Sequence, residues 1–161
     1  MSVRDEDSDI TERAANRKAH GIVMPPRAGM STPTSFGGTR GDREISAYVQ
    51  KLNESKNDTE KQVECLSKLR SLLQQKVQQQ QQVSELGKLM GPSVVDVMRS
   101  HPEKEELIEE CTCILYLLSI LDPTFKKGVA RLFKAMEDHT DNVAIQRAAC
   151  AAIRRVVSKN P

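Results

Sequence analysis

The sequence predicts an all-α protein in which helical units stack behind an N-terminal arm. From Arg43 onward, apolar residues recur at helical spacing almost without a break, and no run alternates with the period of two that a strand shows. The same stretch repeats itself at an interval close to that of helical repeat arrays. Residues 1–42, in contrast, show no apolar periodicity and are interrupted by proline and glycine.

Residues 1–42 form the predicted arm. Acidic residues at its start give way to a stretch from Arg13 to Gly41 that contains no acidic residue. The basic residues of this stretch are Arg13, Arg17, Lys18, Arg27 and Arg40. Such a segment cannot bury enough apolar surface to offset the entropy of ordering it. Two interpretations stay open, a solvated tail and an arm that lies along an acidic partner surface.

Two shifts of the sequence along itself reveal the repeat. A shift of 38 positions superposes the last unit on the middle one, and a shift of 46 positions superposes the middle unit on the first. Superposed pairs include Met136 with Met98, His139 with His101, Ile153 with Leu115, Cys111 with Cys65, and Leu115 with Leu69. The additional residues of the second shift lie around Gln74–Gln82, so the glutamine run is interpreted as an insertion. The predicted units are 43–82, 83–123 and 124–161, which together form one domain at 43–161.

Each unit contains a first apolar helix, a polar loop and a longer apolar helix. The loops are Glu54–Asp58, His101–Lys104 and His139–Asn142, and the long helices run at about Glu60–Leu73, Glu105–Leu121 and Val143–Ser158. Pro123 ends the second long helix because it cannot continue one. Between the first two units, a short helix over 83–90 is predicted to stop at Gly91, and Pro92 to start the next helix. Alternatively, the glutamine run extends the first long helix toward Leu89.

The cysteines and histidines have structural explanations. The cysteines are Cys65, Cys111, Cys113 and Cys150, all in helical segments among apolar neighbours. The single Cys-x-Cys pair points its side chains about 200° apart on a helix, unlike the paired ligands of zinc sites. We predict buried free thiols that act as small hydrophobes, with metal, redox or disulfide roles as open alternatives. His101 and His139 recur at one repeat position and are predicted to cap carbonyl groups at a helix C-terminus.

These helical units resemble the armadillo repeat, with the HEAT repeat as the near alternative. The resemblance covers residues 43–161 and is carried by GPSVVDVMRSHPEKEELIEECTCILYLLSILDP and GVARLFKAMEDHTDNVAIQRAACAAIRRVVSKNP. It implies a right-handed superhelical solenoid of about three repeats, whose long helices line a groove that binds extended peptides or helices. Several family members clamp the partner backbone with a recurrent Asn. The matching positions here are Ser71, Leu117 and Arg155, so the resemblance does not extend to that clamp.

The residues point away from catalysis, cofactors and metal binding. No histidine stands with a cysteine or serine in a recognisable nucleophile–base motif, and the glycines lack the flanking strand and helix of a phosphate loop. The acidic cluster around Glu105 and Glu106 lacks alternating oxygen ligands and is explained by the first turn of a helix. With a net charge of +2, three Phe, two Tyr and no Trp, the chain offers little to a nucleic acid. We therefore expect no catalytic residue, no cofactor and no metal.

The sequence also bears on location. The start, MSVRDEDSD, is acidic and lacks the apolar region of a secretory signal. The longest apolar run, residues 114–121, is shorter than a membrane span. We expect a cytoplasmic protein without membrane insertion.

Two surfaces are predicted to bind protein partners. One is the basic arm, and the other is the last repeat, where Arg147, Arg154 and Arg155 form either a basic patch or a solvated helix face. The last helix also carries more apolar surface than one neighbouring unit covers. The sequence therefore predicts a structural subunit of a multi-subunit assembly with an acidic surface, with a microtubule or cilium as one expected setting. The alternative is a soluble adaptor that binds a partner peptide in its groove.

Overall fold

A computed structural model describes residues 39–81, 84–122, 125–126 and 128–158. Within these residues the chain forms six helices and no strand, which confirms the all-α prediction. The helices are α1 (Arg40–Glu54), α2 (Thr59–Gln78), α3 (Ser84–Ser100), α4 (Glu105–Leu121), α5 (Val129–Asp138) and α6 (Val143–Ser158). In chain order, each predicted unit contains one pair of helices.

Helix α1 starts at Arg40, inside the segment predicted to belong to the arm. The carboxylate of Asp42 accepts hydrogen bonds from the backbone N–H of Thr39 (2.8 Å) and from its hydroxyl (3.0 Å). The same carboxylate lies 2.7 Å from Lys76 Nζ near the end of α2. Because an acid in the first turn and a capping interaction stabilise a helix N-terminus, the folded part of the chain starts before Arg43.

Helix α2 ends at Gln78 and does not extend toward Leu89. Gln80 has a positive φ of 52°, a left-handed conformation that does not continue a right-handed helix. The backbone N–H groups of Gln79 and Gln81 close the turn by donating to the carbonyls of residues 75 and 76, at 3.0 and 3.1 Å. The first part of the glutamine run therefore belongs to α2, and residues 79–81 form a turn.

The predicted helix break at Gly91 and Pro92 is wrong, because α3 continues through both residues. Pro92 has no N–H to donate to the carbonyl four residues earlier, and a proline inside a helix normally kinks or ends it. Gly91 allows close packing here, since a Cβ at this position would lie 2.7 Å from Cε2 of Phe125. We infer that the packing of Phe125 on this glycine offsets the local cost of the proline.

The described helices form two layers. Helices α2, α4 and α6 are neighbours in one layer, with α4 packed between the other two. Helices α1, α3 and α5 follow in the same order in the second layer, and each packs on the long helix of its own pair. The long helices of successive units therefore lie side by side.

The core lies between the two layers, and α4 is its most buried element. The side chains of Leu107, Ile108, Thr112 and Leu117 are all buried, although they occupy different sides of this helix. Burying a leucine or isoleucine side chain contributes about 2 kcal/mol to stability. The helices of the middle unit are therefore stabilised by contacts with those of both neighbouring units.

Candidate docking surface

One row of positions on the long helices changes from buried to exposed along the stack. The row is buried in α2 and α4, whereas in α6 it is half-buried or exposed. It comprises Gln62, Leu66, Leu69 and Leu73 in α2, Ile108, Thr112, Leu115 and Ser119 in α4, and Gln146, Cys150, Ile153 and Val157 in α6. In the first two units the following unit covers this row, and in the third unit no described residue covers it fully.

Large apolar side chains surround the uncovered part of the row. Val157 is 62% exposed, and Phe133 of α5 is 52% exposed. Phe133 corresponds to Val49 of α1, which is buried, and to Val95 of α3, which packs against the core. We call the surface formed by Phe133, Cys150, Ile153 and Val157 the C-terminal face. Exposed apolar residues grouped in this way are typical of protein-binding surfaces.

The three arginines predicted to bind a partner all lie on α6, at two different places. Arg147 and Arg154 are exposed, and their helical positions border the side of α6 that carries Cys150 and Val157. Arg155 is half-buried on another side of the helix, and its Nε has no hydrogen-bond partner among the described residues. Two of the three arginines therefore flank the C-terminal face.

Arg70 occupies in α2 the position that Arg154 occupies in α6, and it shows what an arginine does there when another unit covers it. Arg70 Nη1 lies 3.1 Å from Glu110 Oε1 of the neighbouring helix α4. The side chain of Arg70 is 32% exposed, and that of Glu110 is 13% exposed. Burial raises the pKa of Glu110 above its ordinary value, and the Arg70 guanidinium opposes that shift. The covered position thus holds an ion pair that crosses between units.

The opposite end of the stack has a different surface. Lys61 and Lys68 of α2 are exposed, and they correspond to Leu107 and Ile114 of α4, which are buried. Lys61 forms an ion pair with Asp58 at 2.8 Å. Polar side chains on the outer side of a terminal repeat keep an array soluble and end it. The first unit therefore ends in a polar surface, and the third unit ends in an apolar one.

The two histidines have different contacts, and neither ring caps a carbonyl of its own helix. The Nε2–H of His139 donates to the carbonyl of Pro102, at 2.9 Å, in the loop of the preceding unit. In the same region, Asn142 Nδ2 donates to Glu105 Oε1 at 2.6 Å. His101 Nε2 is buried without a hydrogen-bond partner among the described residues. His139 and Asn142 therefore join the second and third units.

The cysteine prediction is correct for two of the four thiols. Cys65 and Cys111 are buried, Cys113 is half-buried, and Cys150 is exposed, all four as free thiols. Burial raises the pKa of Cys65 and Cys111, so these thiols stay protonated near neutral pH. Cys150 differs because it belongs to the row that the third unit leaves uncovered.

The predicted arm residues fall largely outside the described part of the chain. Arg13, Arg17, Lys18 and Arg27 lie outside the described residues. Arg40 lies in the first turn of α1, where its Nε is 3.2 Å from Glu44 Oε1. Arg40 therefore belongs to the helical part of the chain, at the point where the predicted arm ends.

A second feature of the surface is a cleft of about 440 Å³ near the N-terminal ends of α2 and α4. Glu60, Glu105 and Glu106 give it an acidic lining, and Val63 and Leu107 add apolar surface. Neither in this cleft nor elsewhere in the described residues is a group of three or more His, Cys, Asp or Glu side chains arranged to hold a metal ion. No helix in the described ranges is long and apolar enough to cross a membrane.

No family model, no curated protein and no solved structure matches the chain. The functional interpretation therefore depends on the comparison of one unit with the next. Sequence reasoning anticipated extra apolar surface on the last helix but missed Phe133, Cys150 and the Arg70–Glu110 pair. The signal for the pair was present in the alignment of units, where Arg154 superposes on Arg70.

Proposed function

We propose that the chain is an armadillo-like solenoid that acts as a non-catalytic protein-binding subunit of a larger assembly. Its C-terminal face docks on another protein, and the basic arm provides a second contact with an acidic surface. The observation that carries the proposal is the row of positions that is buried in α2 and α4 and uncovered in α6.

The energetics of stacked repeats support this proposal. Repeat arrays are stabilised by the apolar surface that neighbouring units bury against each other, and a terminal unit without a polar outer side leaves such surface in water. Covering side chains such as Phe133 and Val157 contributes about 1–3 kcal/mol for each one that becomes fully buried. A partner that completes the C-terminal face is therefore favoured over the free state.

The charge of the arm supports the proposal that the partner surface is acidic. Between residues 13 and 41 the chain carries only basic charges, and Arg40 places the last of them at the start of α1. Attraction between such a segment and an acidic surface accelerates association and weakens as ionic strength rises. A microtubule or ciliary lattice is one acidic surface of this kind, and on charge alone we propose a cytoskeletal setting.

Recovery of complexes from the native cell tests the proposed docking. We would compare the tagged chain with the variant Val157→Asp, which places a carboxylate in the C-terminal face. Ala144→Asp is the matched control, since Ala144 is exposed on another side of the same helix. We expect the wild-type chain and the control to recover the same assembly, and Val157→Asp to lose it, because burying an unpaired carboxylate is costly. Equal recovery with all three chains would show that the C-terminal face does not dock.

The acidic cleft supports a second candidate function, a soluble adaptor that binds a partner peptide between α2 and α4. Its lining by Glu60, Glu105 and Glu106 suits a basic peptide. The double variant Glu60→Lys with Glu106→Lys distinguishes the two functions. Loss of the partner with this variant, together with normal recovery by Val157→Asp, would favour the adaptor.

A further inference from the structure

The C-terminal face has counterparts inside the chain, and these indicate what kind of helix covers it. The helix that covers each row places an apolar side chain at the position of Leu107 in α4 or Ile145 in α6. Two turns later it places a second one, Ile114 in α4 or Ala152 in α6. All four are buried, whereas the first unit, which no described helix precedes, has exposed lysines at both positions.

Charge adds a further requirement. The arginine that borders the covered row of α2, Arg70, is paired with Glu110, which lies between Leu107 and Ile114 on the covering helix. Arg154 borders the C-terminal face at the same position. When a partner shields this guanidinium from water, an acidic group has to compensate the lost hydration, because an unpaired buried charge is unfavourable.

We propose that the C-terminal face binds a helix of a different polypeptide, with apolar residues at positions i and i+7 and an acidic residue at i+3. The acidic residue pairs with Arg154, as Glu110 pairs with Arg70. This inference rests on the proposed docking function of the C-terminal face and adds the chemistry of the helix that it binds.

A second copy of this chain does not meet these requirements. In a head-to-tail stack, Lys61 and Lys68 of one copy would enter the apolar row of the other, and burial of these ammonium groups is unfavourable. If two C-terminal faces met across a two-fold axis centred on Cys150, Arg147 of each copy would lie near Arg154 of the other. Lysines or like charges therefore oppose both arrangements of a second copy.

Two synthetic helices test the inference against the whole chain. The first is a hydrocarbon-stapled peptide that copies residues 105–121 of α4, with alanine in place of both cysteines. The second peptide differs from it only by Glu110→Lys. Fluorescence anisotropy measures the dissociation constant of each peptide with the wild-type chain and with Arg154→Glu. We expect the wild-type chain to bind the first peptide about tenfold more tightly than the second, and Arg154→Glu to reverse that order.

The controls separate this inference from the proposed function. Val157→Asp should weaken the binding of both peptides, and Ala144→Asp should leave it unchanged. Equal affinity for the two peptides, or no binding of either, would overturn the inference. Self-association of the purified chain that Val157→Asp abolishes would assign the face to a second copy. If the peptides bind only after residues 1–38 are deleted, the chain's own arm occupies the C-terminal face, and the inference of a different polypeptide is overturned. The proposed function fails on a different result, namely native complexes that survive Val157→Asp.

Discussion

Leu66, Thr112 and Cys150 occupy the same position in successive long helices, yet only Cys150 is exposed. Thr112 and Cys150 are similar in size, so the difference in their exposure reflects whether another described long helix packs beyond the helix that carries them. Arg70 and Arg154 also occupy equivalent positions in two different surroundings. Only Arg70 has a described neighbouring helix that supplies a carboxylate, that of Glu110. A residue in this chain is therefore best interpreted together with its equivalents in the other units.

The four thiols provide a test of these positions. We expect Cys150 to react first with an aromatic disulfide reagent, because it is exposed, and Cys65 and Cys111 to react only when the chain unfolds. Burial raises the pKa of Cys111, so its reactive thiolate is also scarce. Absorbance during the reaction at pH 7.5 should show one fast thiol, at least about tenfold faster than the two buried ones. Cys150→Ser should remove that fast phase, and a fast phase that survives this substitution would contradict the placement of Cys150.

Single polar residues also hold the pairs of helices together. Gln146 Nε2 donates to the carbonyls of Met136 (2.8 Å) and His139 (3.1 Å), which belong to the end of α5. The carbonyls at a helix C-terminus lack partners within the helix, so a side chain from the next helix satisfies them. Asn142 stabilises the other side of the same loop, because its Oδ1 accepts from the backbone N–H of Ile145 at 2.9 Å. The loop between α5 and α6 is therefore fixed by both helices.

At the scale of the helices, apolar spacing predicted most of the elements. Helices α4 and α6 have the predicted bounds. A polar loop precedes each of them, and such a loop before an apolar periodic segment marks the start of a helix in the sequence. The continuity of α3 was not predictable from local rules, since Gly91 and Pro92 together are a strong signal for a break. Phe125, which lies in the next connecting segment and is distant in sequence, packs on Gly91, and such a contact is invisible to local rules.

The substitution Gly91→Ala tests the role of that contact. In an open helix interior this change would stabilise the protein by about 1 kcal/mol. Here the new Cβ would lie 2.7 Å from Cε2 of Phe125, so the ring or the helix has to move. We expect Gly91→Ala to lower the free energy of unfolding by about 1–2 kcal/mol, measured by urea denaturation.

The same substitution in a Phe125→Ala background is the matched control. Without the ring, the alanine at position 91 meets no obstacle from residue 125, and the ordinary preference of a helix for alanine should return. The sign of the effect of Gly91→Ala should therefore change between the two backgrounds. A destabilisation of equal size in both would show that Phe125 is not the cause.

At the scale of the whole molecule, the repeat in the sequence predicted which helices belong together, and the layer order of the described helices follows the same sequence of units. The difference between the two ends was harder to predict. Lys61 and Lys68 alone look like ordinary solvated residues, and Val157 alone looks like a core residue. Whether each of these residues is covered depends on the helices that pack beside its own helix. The burial of the residues in the structure shows this, and the sequence alone does not. The start of the folded chain was also missed, because its stabilising contact joins Asp42 to Lys76 across the first unit.

That contact leads to a prediction about where the stable chain begins. We compare a chain that starts at Thr39 with one that starts at Arg43 and lacks Asp42. Lys76 is only 8% exposed, so removal of the carboxylate leaves its ammonium group shielded, with Gln81 Oε1 at 3.0 Å as its remaining acceptor among the described residues. The shorter chain also loses the hydrogen bonds that fix the start of α1. We expect it to be less stable at pH 7 by about 2 kcal/mol, measured by urea denaturation.

The pH dependence of that difference separates the effect of Asp42 from a general effect of shortening α1. Burial alone would raise the pKa of Asp42, but hydrogen bonds from Lys76 and Thr39 lower it below the ordinary value of 3.8. A carboxyl group with a lowered pKa stabilises the folded state above the pKa of the unfolded chain, and this contribution is lost as the pH falls through the folded pKa. The difference between the two chains should therefore be constant from about pH 7 to about pH 5 and shrink below about pH 4. A difference that does not shrink as the pH falls below the ordinary pKa of 3.8 would show that the missing turn of helix is responsible instead of Asp42.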